Sequence, residues 1–268
     1  MNNLAASELI LNKNGSIYHL NLLPEQLADT VIVVGDPDRV QKISKHFDQI
    51  EHVVQKREFH TQTGTYRGKR ISVLSTGIGT DNIDIVMNEL DALANIDFES
   101  REIKKDFKQL DIIRVGTSGS IQMEIPVDSF VVSKKAVGFD ALLHFYQSED
   151  VQLQDFNAAL EEQLQLSPKK SKPYAVACDE DLAKVFEGPE TVDGFTGSNI
   201  GFYAPQGRVL RLPLKDENFM DKLEAFEFQG TKITNLEMET SAIYGMAKML
   251  GHRAVSLNAI VAKRPAGE

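Results

Sequence analysis

The sequence predicts an α/β fold in a single domain, with helices covering both faces of a central β-sheet. Short runs of β-branched residues alternate with helical stretches along all 268 residues. This alternation is typical of strands followed by the helices that pack on them. No internal repeat or flexible linker divides the chain. A chain of this length can also bury a large apolar core, so one domain over 1–268 is expected.

The individual elements are predicted from the spacing of apolar residues. Strands are predicted at 31–34, 71–74, 112–115, 130–132 and 255–261. Helices are predicted at 38–47, 82–93, 151–166, 179–186 and 236–250. Gly251 follows the last helix, at the position of a left-handed C-cap. The charged stretches 99–109 and 167–173 are interpreted as solvated connections, with interaction motifs as the alternative.

The composition excludes several classes of protein. The chain has 29 Lys+Arg against 39 Asp+Glu, a formal charge of −10. Without a long basic block, no binding to nucleic acid through its phosphates is expected. No apolar run approaches the roughly 18 residues that span a bilayer, and the N-terminus lacks a secretory pattern. A cytoplasmic protein without membrane attachment is expected. Its single cysteine, Cys178, excludes an internal disulfide.

Two arginines at predicted strand ends indicate a small phosphate site. Gly35 ends the first strand, and Arg39 lies about one turn into the following helix, where free N–H groups favour an anion. A tight turn with a solvent-facing arginine is the alternative for this segment alone. Arg114 lies inside an apolar strand before the glycine-bearing turn predicted at 114–120. A buried, unpaired arginine is costly, so an anionic ligand is expected beside it.

Three other kinds of site are not supported by the motifs. STGIGTDN has Asn82 where the dinucleotide fingerprint needs its third glycine. GTSGS at 116–120 misses the nucleophile-elbow pattern by one position. The six histidines lack the H-x-x-x-H spacing of zinc ligands, so no metal site is predicted.

Two further segments carry candidate ligand-binding side chains. EMETS contains Glu237 and Glu239, whose carboxylates can accept hydrogen bonds from sugar hydroxyls, or can be surface residues favoured at a helix start. FYAPQGR contains Gln206 and Arg208, which together suit a planar ring with adjacent C=O and N–H groups. An ordinary surface loop is the alternative there.

Five motifs resemble those of the nucleoside phosphorylase family. They occur in the family's order and at roughly its spacing: GDPDRV, KREF, STGIG, RVGTSGS and EMETS. The similarity extends from His19 to Arg264, and the Q-x-R loop at 206–208 resembles the uridine phosphorylases within the family. The resemblance implies a mixed, twisted central sheet and the phosphorolysis of uridine to uracil and ribose 1-phosphate. Inorganic phosphate would be the co-substrate, and no cofactor is implied.

The resemblance also implies a role for individual residues. The phosphate-binding set is Gly35, Arg39, Arg57, Arg114 and Thr117. The ribose-binding set is His19, Thr117, Glu237, Met238 and Glu239. The base-binding set is Gly119, Phe202, Gln206 and Arg208. The catalytic set is Arg114, Gln206 and Arg208. His19 and Arg57 would come from a neighbouring subunit, which implies a homo-oligomer, a dimer or a hexamer, with shared active sites.

The sequence departs from the family pattern at several positions. Some members bind potassium at a subunit interface through a glutamate matching Glu58, but Asn82 stands where a serine ligand is expected. Ala262 and Lys263 replace a frequent Val-Asn pair. The chain ends at Glu268, soon after a strand that relatives follow with a final helix, so that helix is expected to be absent.

Other functions are weighed against this one. A purine nucleoside phosphorylase needs an acid that the segment LNAIVAKR does not contain, and a nucleosidase, which uses water, has no need of Arg39, Arg57 and Arg114. A dinucleotide-dependent oxidoreductase lacks its glycine fingerprint. A catalytically silent nucleoside-binding protein stays open, because a sequence does not reveal turnover.

Overall fold

Ten strands form one mixed β-sheet in the computed structural model, which describes residues 3–267. The strands in chain order are β1 (Thr30–Val34), β2 (Gln49–Lys56), β3 (Phe59–Tyr66), β4 (Lys69–Ser75), β5 (Ile96–Asp97), β6 (Glu102–Ile103), β7 (Asp111–Ser120), β8 (Phe130–Gly138), β9 (Tyr174–Ala177), β10 (Thr191–Ser198), β11 (Glu227–Phe228), β12 (Thr231–Lys232), β13 (Asn235–Glu237) and β14 (Arg253–Lys263). The pairs β5–β6 and β11–β12 are separate two-stranded sheets.

Six α-helices and five short 3-10 helices connect these strands. The α-helices are α1 (Pro37–Ser44), α2 (Thr80–Asn95), α3 (Gln154–Leu164), α4 (Glu180–Lys184), α5 (Phe219–Ala225) and α6 (Thr240–Met249). The 3-10 helices are Pro24–Gln26, Leu142–Phe145, Glu149–Val151, Ala204–Gln206 and Arg264–Ala266. In the part of the chain that is described, no helix has the length and apolar character needed to span a bilayer.

The sheet has the order β13-β10-β8-β14-β7-β1-β4-β3-β2, with β9 paired to β8 outside this path. The pairs β4–β1, β1–β7 and β7–β14 in the middle of the sheet are parallel. The pairs β2–β3, β3–β4 and β8–β14 are antiparallel, so the sheet is mixed as expected. Because parallel strands end at the same edge, the loops after β1, β4 and β7 meet there.

Helices pack on both faces of the sheet. Val31 and Val33 of β1 lie in one apolar cluster with Leu90 of α2 and Ile243 of α6. Val34 lies in another cluster with Val40 of α1. Successive side chains of a strand point to opposite faces, so α1 covers one face and α2 and α6 cover the other. This confirms the predicted α/β architecture.

Two predicted boundaries are wrong. The turn predicted at 114–120 is the second half of β7, which pairs with β14 as far as Ser120. The helix predicted from 236 begins only at Thr240, because Leu236 belongs to β13 and pairs with both β10 and β7. The apolar spacing of 235–237 suits either structure, and pairing with two distant strands decides for a strand. Five strands of the sheet, β2, β3, β9, β10 and β13, are absent from the sequence prediction.

Candidate active site

The glycine-bearing turns and EMETS converge at one edge of the sheet. Arg39 of α1 donates from Nη1 to the carbonyl oxygen of Val115 in β7, at 3.4 Å. The backbone N–H of Gly79, after β4, donates to Glu239 Oε1 at 2.9 Å. Since Glu239 also contacts Arg114 inside β7, residues of β7 and residues that follow β1, β4 and β13 share one crevice. The sequence prediction of a common crevice is therefore geometrically consistent with the structure.

Arg114 is buried at the floor of this crevice and is fully paired. Its Nη2 lies 2.9 Å from Glu237 Oε2 and 2.7 Å from Glu239 Oε2. Its Nη1 donates to Asn258 Oδ1 at 2.8 Å. Burial alone lowers the pKa of the guanidinium, but the two carboxylates outweigh burial, and the net shift of the pKa is upward. The argument that Arg114 needs an anionic ligand to pair its charge is thus wrong, because the chain itself supplies two carboxylates.

Gly116 leaves the space in which this guanidinium lies. A Cβ atom at position 116 would be 2.2 Å from Arg114 Nη1 and 2.5 Å from its Cζ. Any larger residue would displace the guanidinium from Glu237 and Glu239. The glycine after Arg114 in RVGTSGS is therefore required by side-chain packing, and not by a turn.

Glu237 is held by backbone and side-chain donors around the start of α6. It accepts a hydrogen bond from Ser198 Oγ at 2.6 Å and from the backbone N–H groups of Glu239 and Thr240, both at 3.0 Å from its Oε2. Burial raises the pKa of Glu237, and the nearby Glu239 adds to this rise, while Arg114 opposes it. Glu237 therefore caps a helix and fixes Arg114. Met238, between the two glutamates in sequence, is half-buried.

The first turn contains a cation, Arg39, to which the described residues offer no counter-ion. Within residues 3–267, Arg39 forms no ion pair, and its Nη2 would be only 3.7 Å from a Cβ at Gly35. That same Cβ would be 3.6 Å from the carbonyl oxygen of Gly77. The backbones after β1 and β4 thus approach each other beside a guanidinium. Thr117 is exposed on β7, so this arrangement can hold a small anion.

The loop after β10 brings Phe202, Gln206 and Arg208 together. The Arg208 guanidinium carbon lies 3.9 Å from the centre of the Phe202 ring, and its Nη1 donates to Phe202 O and to Gln206 Oε1, both at 2.7 Å. Gln206 is 2% exposed, whereas Phe202 is 51% exposed. Burial lowers the pKa of Arg208. An aromatic face, an amide and a guanidinium in this order suit a flat, polar ring.

Comparison with known proteins assigns the family. Residues 29–267 match the phosphorylase superfamily. The chain belongs to this superfamily. It is 30% identical to a uridine phosphorylase of Thermococcus kodakarensis over 96% of this chain and 80% of that protein. It is 27% identical to a DeoD-type purine nucleoside phosphorylase of Shewanella loihica over 88% of this chain and 82% of that protein.

A solved structure of the superfamily has the same fold. It is a nucleoside phosphorylase of Trypanosoma brucei that shows uridine phosphorylase activity. Superposition gives a TM-score of 0.85 with 32% sequence identity, covering 96% of this chain and 91% of that one. The resemblance read from the five motifs is therefore confirmed at the level of the family and of the fold.

Arg264 is not among the residues that the sequence assigned to phosphate, ribose or base. It joins the end of β14 to the loop after β10. Its Nη1 donates to the carbonyl oxygen of Gln206. Its Cγ would lie 3.9 Å from a Cβ at Gly119, so it also borders the predicted base-binding backbone. Burial lowers the pKa of Arg264, and the charge of Arg208 lowers it further. The sequence signal was an arginine directly after a strand that reaches the crevice.

His19 and Arg57 do not join the other site residues within the chain. His19 Nδ1 lies 2.7 Å from Glu89 Oε1 of α2, and its ring is 6.4 Å from that of Phe59. Arg57 is exposed between β2 and β3, in a left-handed conformation with φ of 56°. Neither side chain contacts the crevice residues within residues 3–267, and their roles stay predictions.

The two residues that match the family's potassium site, Glu58 and Asn82, lie at the turn after β4. Glu58 and Asn82 lie on either side of Gly77, whose Cβ would be 3.0 Å from Glu58 Cγ and 2.5 Å from Asn82 Nδ2. Asn82 Nδ2 donates to the carbonyl oxygen of Ile78 at 3.1 Å. Within residues 3–267, no group of three or more His, Cys, Asp or Glu side chains has a metal-binding arrangement.

Proposed function

We propose that the protein is a uridine phosphorylase, a pentosyltransferase that converts uridine and phosphate to uracil and ribose 1-phosphate. The observation that carries this proposal is the base-binding surface formed by Gln206, Arg208 and Arg264, which offers an amide and two guanidinium groups. The uracil edge has two carbonyl oxygens and one N–H. The guanidinium groups can donate to the carbonyl oxygens, and the amide oxygen of Gln206 can accept from the N–H. The identities to uridine phosphorylases support the same reaction.

Phosphate is assigned to the crevice beside Arg39. The guanidinium of Arg39 and the close backbones at Gly35 and Gly77 can hold a dianion below the sugar. One phosphate oxygen attacks C1′ of the ribose while the bond from C1′ to N1 of uracil breaks. The bonding electrons pass to the uracil ring. Positioning and fixed charges supply most of the acceleration in this scheme.

Uracil leaves with a negative charge that spreads over its oxygens. Arg208 then donates to a more basic oxygen than in the bound nucleoside, and this difference is what lowers the barrier. Glu239, with Oε1 and Oε2 held by Gly79 and Arg114, presents a fixed carboxylate toward the ribose hydroxyls. Met238 is proposed to pack under the sugar.

Purine nucleosides are the second candidate substrates, favoured by the 27% identity to a purine nucleoside phosphorylase. Strand β14, Arg253–Lys263, carries no Asp or Glu that could protonate a purine base. Incubation with uridine or inosine, each with and without phosphate, separates the possibilities by the free base released. Uracil release only with phosphate supports the proposal. Hypoxanthine release, phosphate-independent release, or no release would each contradict it.

The proposal includes a cytoplasmic homo-oligomer whose active sites are shared between subunits. Within their own chain, His19 is paired with Glu89 of α2, and Arg57 is exposed in the turn between β2 and β3. Within residues 3–267, exposed Arg57 forms no ion pair that would account for its charge. A neighbouring chain that brings these two residues to the crevice would add a cation for phosphate and an imidazole for the ribose.

A further inference from the structure

A second cavity lies behind the base-binding loop. Its volume is about 410 Å³, and Asn199, Lys170 and Phe219 are among the residues that line it. The residues of the proposed active site, among them Arg39, Arg114 and Arg208, do not line it. A volume in this range accommodates a molecule of roughly nucleotide size.

Asn199 borders this cavity with an amide that has no partner. The residue is 1% exposed, and neither its Oδ1 nor its Nδ2 forms a hydrogen bond within residues 3–267. Only its backbone N–H is used, in a 2.8 Å bond to the carbonyl oxygen of Glu237. Burying an amide without partners is unfavourable, so such a group calls for a ligand or a water. The amide offers one acceptor and two donors to a molecule that reaches it.

The cavity wall also carries an excess of positive charge. The exposed side chains of Lys169, Lys170 and Lys215 line it and form no ion pair within residues 3–267, and the one carboxylate of the wall, Asp216, is paired with Lys222 at 3.1 Å. Partial burial lowers the pKa of Lys170, and the charge of Asp216 opposes this shift only in part. A bound anion would offset this unfavourable burial. The stretch 167–173, interpreted from sequence as a solvated connection, thus supplies two of the three cations.

Two aromatic rings form an apolar part of the wall. The rings of Phe139 and Phe219 are 5.7 Å apart and nearly perpendicular, and Lys170 Nζ lies 4.0 Å from the centre of the Phe219 ring. Aromatic faces favour a flat ring, and lysines favour a phosphate. From these features together with Asn199, we propose that this cavity binds a nucleoside monophosphate, with its base near Asn199 and its phosphate near the lysines.

A ligand there would also contact the base-binding loop. Ala204 and Pro205 line the cavity, and they belong to the same 3-10 helix as Gln206. Binding that favours one arrangement of this helix changes the affinity of the active site for uridine, and uridine changes nucleotide affinity by the same factor. Given the proposed function, such coupling would make the cavity a regulatory site that acts through Gln206.

Calorimetric titration with UMP, AMP and ribose 5-phosphate tests the site without requiring turnover. Nucleotide binding should be equal in the wild-type protein and in Arg208→Ala, whose substitution lies in the active site. Asn199→Leu and Lys170→Gln should each weaken it by about tenfold or more, because each removes a polar partner. Ribose 5-phosphate, which lacks the base, should bind weakly. Lys172→Gln is the matched control, because exposed Lys172 pairs with Glu161 and does not line the cavity.

Two results would overturn the proposal. Loss of nucleotide binding in Arg208→Ala would place the nucleotide in the active site. Unchanged affinity in both Asn199→Leu and Lys170→Gln would remove the cavity as its location. If Asn199→Leu fails to fold, Lys170→Gln still decides, because its side chain lies on an exposed segment. Failure of uridine turnover would leave these titrations interpretable.

Discussion

The floor and the rim of the active-site crevice are built in opposite ways. At the floor, Arg114 is 6% exposed and is paired with Glu237 and Glu239 inside the chain. At the rim, Arg208 pairs with no carboxylate within residues 3–267 and lies over the half-exposed ring of Phe202. The floor therefore satisfies its charges before any substrate binds, and the rim keeps a cation available for the base.

This difference separates stability from activity. Removing one member of a buried ion cluster leaves a charge without partner or water, which destabilises the fold. Removing a partly exposed cation leaves water in its place, so mainly substrate binding is affected. Substitutions at the floor should lower both stability and turnover, and those at the rim should lower turnover alone.

The largest expected effect is that of Arg114→Ala at the floor. Glu237 and Glu239 would be left as buried carboxylates without a cation, at a cost of about 3–5 kcal/mol in the free energy of unfolding. Phosphorolysis should be abolished. Urea unfolding at fixed protein concentration measures the loss. The double variant Arg114→Met/Glu239→Gln should recover part of the lost free energy of unfolding, because the charge of Glu239 is removed together with its cation. Wild-type stability in Arg114→Ala would contradict the pairing at the floor.

Substitutions at the rim should give the next largest effect. Gln206→Ala and Arg208→Ala each remove a hydrogen-bond partner of the base, at about 1–3 kcal/mol, or roughly 5- to 150-fold in kcat/KM for uridine. The KM for phosphate should stay near wild type in both variants, and the Tm should do so in Arg208→Ala, whereas buried Gln206 also contributes to stability. Arg211→Ala, which removes an exposed arginine from the same loop, is the matched control. An equal loss of phosphate affinity would mean that the loop acts on folding and not on the base.

A mixing experiment asks whether one chain builds the whole crevice. Arg57→Ala and Gln206→Ala/Arg208→Ala proteins are combined under conditions that exchange subunits. In a shared-site dimer, activity should return to about a quarter of wild type, because half of the dimers are mixed and each has one intact site. The unmixed parents are the control. No recovery despite verified exchange would remove the shared-site proposal.

The floor also marks the limit of what the sequence predicted. Arg114 was identified because a charge inside an apolar strand is unusual, and that signal is local. Its partners were not identified, because β13 has three residues and forms only by pairing with two strands far away in sequence. Periodicity carries no information on such contacts. Helices α1 to α4 and the strands β1 and β4, which depend on local spacing, were predicted closely, whereas the short helix α5 was missed.

At the rim, the sequence grouped three of the four side chains, for a different reason. Phe202, Gln206 and Arg208 lie within seven consecutive residues, and so their proximity follows from the chain itself. Arg264 completes this surface from the end of β14, and only the fold brings it there. His19 and Arg57 have no local signal at all, and their roles depend on the family resemblance.

The smallest expected effect concerns Asp140, a buried carboxylate behind the floor that has only neutral partners. It accepts hydrogen bonds from Tyr174 Oη at 2.8 Å and from the backbone N–H of Leu142 at 2.7 Å. Burial raises the pKa of Asp140 above its ordinary value of 3.8, and its hydrogen bonds oppose this rise only in part. Unlike Glu237, it has no cation to stabilise its charge.

The raised pKa sets the sign of a pH dependence. Between the ordinary pKa and the higher pKa of the folded protein, the native state binds more protons at Asp140 than the unfolded state does. The unfolding free energy contributed by this group therefore falls as pH rises through that window.

Asp140→Asn keeps an acceptor for Tyr174 and Leu142 but does not titrate. It should stay within about 1 kcal/mol of wild type at pH 7, since it exchanges one hydrogen-bonded group for another. Urea unfolding of both proteins from pH 4 to pH 8 gives the difference in unfolding free energy, wild type minus variant, in which the other titrating groups cancel. That difference should decrease as pH rises from about 4. An increase over the same window would mean that Asp140 is stabilised as a carboxylate, and the contrast with the ion-paired floor would then not hold.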